Sequence, residues 1–160
     1  MGSGLGGPIG VAVNAAGTVA YATNLFDMTV SQFSIDGAGR LVPLVGAANV
    51  ATGVTPYPMT ITPDGLYAYW GNKADNMVAQ CAFTALGALD CSAGQIAAGS
   101  RPQYIAVDPF SRYVFVVNNN FEGAGTVSQY TIGVGGALSN NGVAATATTG
   151  NGPFSITTTK

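Results

Sequence analysis

Histidine is absent from the 160-residue chain, glutamate occurs once, at Glu122, and charged residues make up only 8%. Without histidine the commonest general base and metal ligand is missing, and neither a Ser/His/Asp nor a Cys/His arrangement can be assembled. Five basic residues against seven acidic ones leave a formal net charge of −2, so no basic surface is expected for nucleic acid or an anionic membrane. No apolar run reaches the ~18 residues of a membrane-spanning helix. The opening MGSGLGG also lacks the basic and apolar segments of a secretory leader, so export would rely on a leader outside this sequence. Low charge excludes a charge-rich coiled coil, and the many spaced apolar residues, 48% of the total, argue against disorder.

Glycine is plentiful, at 23 residues, and the rest of the composition suits a sheet protein. The chain repeats itself. PIGVAVNAAGTVAYATN (Pro8 to Asn24), PYPMTITPDGLYAYWGN (Pro56 to Asn72) and PQYIAVDPFSRYVFVVN (Pro102 to Asn118) align without a gap, each running 16 residues from proline to asparagine. A second block follows in the same order: Val30-Ser-Gln32-Phe33, Val78-Ala-Gln80-Cys81 and Val127-Ser-Gln129-Tyr130, then Leu41, Leu89 and Leu138. A fourth copy opens at Pro153. The successive intervals between Pro8, Pro56, Pro102 and Pro153 are 48, 46 and 51 residues, as expected for propeller blades of four short strands. The predicted units are a leader over 1–7, blades over 8–55, 56–101 and 102–152, and the first strand of a fourth blade over 153–160.

Within each copy, apolar residues alternate in the first strand (Ile9/Val11/Val13, Met59/Ile61, Ile105/Val107). A tight turn follows; Thr62-Pro63-Asp64-Gly65 has proline and glycine where a type I turn uses them. The second strand is aromatic and β-branched. Third strands are expected over 30–35, 78–83 and 127–132, and weaker fourth strands around 41–50, 89–97 and 138–147. Between third and fourth strands lie three loop residues, 37–39, 85–87 and 134–136, and the last is always glycine. A three-residue hairpin needs a left-handed residue there. Flanking the second of these loops with residues 84 and 88 opposes positions whose numbers sum to 172, and Cys81 and Cys91 do. Cross-strand neighbours lie within disulfide reach. An oxidising compartment would therefore join them, whereas a reducing one would leave two buried thiols in the slots of Phe33 and Tyr130.

The pattern Pro-x-x-Ile/Val-Ala-Val-x-Pro-x-Gly-x-x-Ala-Tyr-x-x-Asn, followed by Thr-Val-Ser-x-Tyr/Phe-x-Ile and Gly-x-Leu, resembles the lactonase-like, YVTN-repeat β-propeller family. Its strand motif has counterparts at Tyr21-Ala-Thr-Asn24 and Phe115-Val-Val-Asn118. The resemblance extends over residues 7–160 and includes the 6-phosphogluconolactonase type. It implies a seven-bladed toroid with first strands lining a channel, and with second-to-third and fourth-to-first loops on one rim. The expected fold is thus all-β, an arc of three four-stranded antiparallel blades plus one strand. A lone arc would expose its end blades. Two accounts stay open: missing blades of a longer chain, or a head-to-tail dimer in which residues 154–159 compete with 9–14 of the partner.

Sugar-lactone hydrolases of this family are expected to use histidine and arginine at the channel mouth, and no residue here fills the histidine role, so a catalytic site is not expected. Weaker binding candidates are Asp27, Asp75 and Glu122, which follow the repeated asparagines and fall on one rim. Such oxygens could hold Ca²⁺, although solvated charges are commoner there and no metal or cofactor is expected. Arg101, beside Pro102, could grip an anionic ligand or simply face solvent. The recurrent Asn24, Asn72, Asn118, Gln32, Gln80 and Gln129 read as blade requirements, Trp70 as packing between blades, and the threonines of 146–149 and 157–159 as ordinary strand residues. The leading expectation is a noncatalytic, exported (extracellular or periplasmic) binding or scaffold module that self-associates and meets a protein or carbohydrate partner. Alternatives are part of a lactone hydrolase with its catalytic residues elsewhere, or a fragment without a function of its own.

Overall fold

The computed structural model describes residues 6–120, 123–140 and 146–159. They form three antiparallel sheets in sequence, each one blade. Blade 1 contains β1 (Pro8–Val13), β2 (Val19–Asn24), β3 (Thr29–Ile35), β4 (Leu41–Pro43) and β5 (Asn49–Ala51). Blade 2 contains β6 (Thr60–Ile61), β7 (Tyr67–Asn72), β8 (Met77–Phe83), β9 (Leu89–Asp90) and β10 (Gln95–Ala97). Blade 3 contains β11 (Pro102–Val107), β12 (Tyr113–Asn118), β13 (Ala124–Ile132), β14 (Leu138–Asn140) and β15 (Thr146–Asn151).

The repeated proline and asparagine face each other across the first hairpin of every blade: Pro8 pairs with Asn24, Pro56 with Asn72 and Pro102 with Asn118. The turns between these strands are closed by the residue six after the proline. Asn14 Oδ1 accepts the amides of Thr18 and Val19, Thr62 Oγ1 accepts that of Tyr67, and Asp108 Oδ1 accepts those of Arg112 and Tyr113. The next hairpin follows the expected register. The glycine closing each loop is left-handed, with φ of 77°, 78° and 79° at Gly39, Gly87 and Gly136. Amides 36, 84 and 133 donate to carbonyls 40, 88 and 137 across the loop base. Ala82 faces Asp90, Phe83 faces Leu89, and Cys81 is joined to Cys91 with Cα atoms 4.1 Å apart.

Three expectations need correction. The fourth strand is not continuous: β4 and β5 both pair with β3, β9 and β10 with β8, and β14 and β15 with β13. In blade 1 the chain turns between the two pieces, with Ala47 N donating to Leu44 O and Gly46 left-handed. Proline 43 has no amide to continue the ladder. In blade 2 the equivalent turn closes from Gly94 N to Cys91 O. β6 is only two residues long; Pro58, just before it, has no amide to extend the ladder. Residues 153–159 carry no ladder at all. They lie beside β11, with Thr158 Oγ1 donating to Val107 O and Phe154 against Tyr104, but no strand among the described residues pairs with them.

The core consists of two seams between blades. Val19, Tyr21 and Val30 of blade 1 pack against Met59, Trp70 and Leu89 of blade 2. Tyr69 and Val78 of blade 2 pack against Ile105, Val107, Val116 and Leu138 of blade 3. Alternation along β7 sends Ala68 and Trp70 to one seam and Tyr69 to the other, so both sheet faces are apolar. Burying one large apolar side chain contributes roughly 1.5–3 kcal/mol, and no blade could obtain that alone.

Candidate functional site

The loop after each second strand is bonded to the loop entering each first strand. Leu25 N and Phe26 N donate to Gly7 O and Gly6 O, Lys73 N and Ala74 N to Thr55 O and Val54 O, and Asn119 N to Arg101 O. This makes one rim from corresponding loops of three blades. The residue before each repeated proline is left-handed: Gly7 at 65°, Thr55 at 60°, Arg101 at 58° and Gly152 at 61°. Two of these four are not glycine. Held there, a side chain costs on the order of 1 kcal/mol and persists only where its surroundings fix it. For Arg101 they do: its amide donates to Asn76 Oδ1 of blade 2 at 2.8 Å, and its carbonyl accepts from Asn119.

Asp27 and Asp75 occupy this rim, each engaged with its own blade. Asp27 Oδ2 accepts the amide of Gly6 at 2.6 Å and Asp75 Oδ2 that of Val54 at 2.5 Å, in each case two residues before the repeated proline. The carboxylates thus latch the two loops together. Glu122 lies outside the described residues. Among the described residues no three His, Cys, Asp or Glu side chains gather as a metal site would require.

The recurrent amides are structural. Asn24 Nδ2 donates to Thr29 Oγ1 and Ser31 Oγ, and Asn118 Nδ2 to Thr126 Oγ1 and Ser128 Oγ. Blade 2 has Met77 and Ala79 in place of those hydroxyls, and Asn72 Nδ2 instead donates to Gln95 Oε1 at 3.0 Å. Gln95 faces Ala79 as Asn49 faces Ser31; its extra methylene spans the missing hydroxyl. The glutamines act between blades. Gln32 Oε1 accepts the amide of Leu89, and Gln80 Oε1 that of Leu138. Alongside them Tyr21 Oη donates to Gly87 O and Tyr69 Oη to Gly136 O. Sequence reading missed this role because the acceptor and its amide lie 57 residues apart.

Where the repeat is broken at the rim, the residues are aromatic and cationic. Tyr57, Tyr104 and Phe154, each just after a repeated proline, form a row across successive copies, with ring centroids 6.5 Å apart between Tyr57 and Tyr104 and 5.2 Å between Tyr104 and Phe154. Lys73 Nζ donates to Tyr57 Oη at 3.0 Å and sits over its ring. Beside Arg101, buried Asn119 Nδ2 donates to Gln103 Oε1. A separate cavity of about 120 Å³ lies between blades 1 and 2, bounded by Trp70, Cys91 and Gln95 among others. Trp70 itself is packed in the first seam.

Burial pushes the Tyr21 hydroxyl up to about 12, and raises Tyr69 and Tyr130 likewise. These phenols are neutral donors at physiological pH. Burial alone would raise the Asp108 carboxyl, but the amides of Tyr113 and Arg112 and the Arg112 side chain hold it below its ordinary value. Both effects belong to turns and seams, away from the rim.

No protein-family profile matches the chain, and no curated protein matches it. Solved structures do. A 6-phosphogluconolactonase candidate from Bacteroides fragilis superposes with a TM-score of 0.81 at 21% identity, over 94% of this chain and 41% of that one. The periplasmic gluconolactonase of Pseudomonas aeruginosa gives 0.78 at 22% identity, over 95% and 42%. The hydrazine synthase of Kuenenia stuttgartiensis gives 0.70 at 20%, over 97% and 40%. The chain therefore spans less than half the length of these neighbours, whose named activities differ. What they share with it is the fold, a β-propeller of which this chain supplies an arc of three blades.

Proposed function

We propose that the chain is a noncatalytic binding or scaffold module, with the rim as its partner-facing surface. The observation that carries this reading is the row Tyr57, Tyr104 and Phe154 with Lys73 at its end. The amides of Asn24, Asn72, Asn118, Gln32 and Gln80 serve the blades themselves, whereas this row departs from the repeat. Ring faces beside cations and amides suit a carbohydrate or an extended peptide, which present apolar and polar edges together. Arg101, on the same rim, is the side chain for an anionic group. The disulfide, and a periplasmic neighbour of the same fold, support an extracellular or periplasmic setting. An oligosaccharide and peptide array tests the reading: binding that falls about tenfold in Tyr104→Ala, with thermal unfolding retained, supports it. Absence of any ligand, or binding indifferent to Tyr104, rejects it.

A second reading rests on the fold shared with a gluconolactonase. The chain would then be part of a sugar-lactone hydrolase whose catalytic residues lie in further blades. Histidine and acidic residues at the rim positions of adjoining blades, read from the flanking coding sequence, would favour it over the first.

A further inference from the structure

Both seams are built by one rule. A blade offers a glutamine oxygen and a second-strand aromatic; the next blade offers a leucine amide and a hairpin-glycine carbonyl. The two outer faces carry the unmatched halves. On blade 3, Phe115 and Gln129 stand where Tyr69 and Gln80 stand in blade 2, yet both are partly exposed. On blade 1, Val11 is 72% exposed where Met59 and Ile105 are 8% and 6%, and Leu41 is 57% exposed where Leu89 and Leu138 are 8% and 7%. The free halves are complementary, and they lie at opposite ends of one chain.

We propose that these faces dock between two copies of the chain, head to tail. Gln129 Oε1 of one copy accepts the Leu41 amide of the next, whose β1 takes the place held by residues 153–159. That segment can yield: it has no ladder bonds and is held to β11 by the Thr158 hydrogen bond and the Phe154 ring contact. A second copy is the fitting occupant for a further reason. The matched region is 41% to 45% of the solved neighbours, so two arcs supply most of the length of one such propeller. Phe115 lacks the hydroxyl by which Tyr21 and Tyr69 reach a glycine carbonyl. The contact between copies therefore has one hydrogen bond fewer than the internal seams and is reversible. A heterologous pairing of this kind closes a ring if its rotation permits and otherwise extends. Displacing residues 153–159 would carry Phe154 away from Tyr104, leaving Tyr57, Tyr104 and Lys73 as the part of the rim common to the monomer and the associated form.

Sedimentation equilibrium of the full chain from micromolar to millimolar concentration tests the proposal. The expected result is a weight-average mass rising above the 16.0 kDa monomer. Gln129→Ala and Leu41→Asp should each weaken association about tenfold or more, in line with loss of a buried hydrogen-bond partner or burial of a charge. Val11→Asp probes the same face should Leu41→Asp fail to fold. Mixing the Gln129→Ala and Leu41→Asp chains should restore association, because each retains the face the other has lost. Phe115→Tyr should strengthen it about fivefold by supplying the missing donor. A monomer at every concentration, association indifferent to both face variants, or a mixture no stronger than its parts would overturn the proposal.

Discussion

β1 and β11 begin at the same repeat position with similar alternating apolar residues, yet β11 is buried along nearly its whole length and β1 is half exposed. The difference lies in the neighbours. β11 sits between blade 2 and residues 153–159, while among the described residues no blade packs on the outer face of β1. A blade's sequence pattern therefore states what it must be packed against. Blade 2, covered on both sides, shows the completed arrangement, and the outer faces of blades 1 and 3 show each half separately. This is the energetics of a quasi-one-dimensional stack, in which stability belongs to the contacts between units.

Substitutions can break that contrast in descending order of effect. Trp70→Ala, within the covered seam, should cost about 3–5 kcal/mol in denaturant unfolding, whereas Val11→Ala on the open face should stay within about 0.5 kcal/mol; equal costs would mean that the seams do not carry the stability. Separating Cys81 from Cys91 by reduction should cost somewhat less than ~3 kcal/mol, since the bridge closes a short loop, and near-zero loss would show that the hairpin register holds without it. Gln80→Ala strands the buried Leu138 amide and should cost about 1–3 kcal/mol. Gln129→Ala, its equivalent on the open face, should change monomer stability by no more than about 0.5 kcal/mol.

Titration sharpens the contrast least. The folded Tyr21 hydroxyl is raised to about 12, above the ~10 of an unfolded tyrosine. Its contribution is complete below pH ~10 and declines as pH rises through the folded value. Denaturant unfolding followed from neutral to alkaline pH should show that decline, and Tyr21→Phe should flatten it. Asp108 runs the other way. Its folded value is depressed, so its contribution is present above the unfolded ~3.9 and is lost as pH falls below that. Asp108→Asn, the side-chain type that closes the same turn at Asn14, should keep the turn and reduce the acid sensitivity.

Much of the blade was legible because its constraints are local or periodic. The 16-residue proline-to-asparagine interval became a cross-strand pair in all three copies, and the glycine at the end of each hairpin loop fixed the register that joins the two cysteines. The split of the fourth strand had a partial signal in Pro43 and Gly46, whose effect depends on where the neighbouring strand runs. The rim was less legible. Tyr57 and Phe154 follow the repeated proline by one residue and Tyr104 by two, and a bulge between Pro102 and Tyr104 shifts the latter relative to its strand. Asp27 and Asp75 read as carboxylates along a rim; that each accepts an amide of its own blade depends on two loops distant in sequence coming together.

Amide hydrogen exchange of the dilute chain, below the concentration at which it associates, tests the seam rule directly. The amides of Leu89 and Leu138, each held by a glutamine of the preceding blade, should exchange orders of magnitude more slowly than that of Leu41, which no glutamine of another blade in this chain holds. Similar exchange at all three positions would contradict the account.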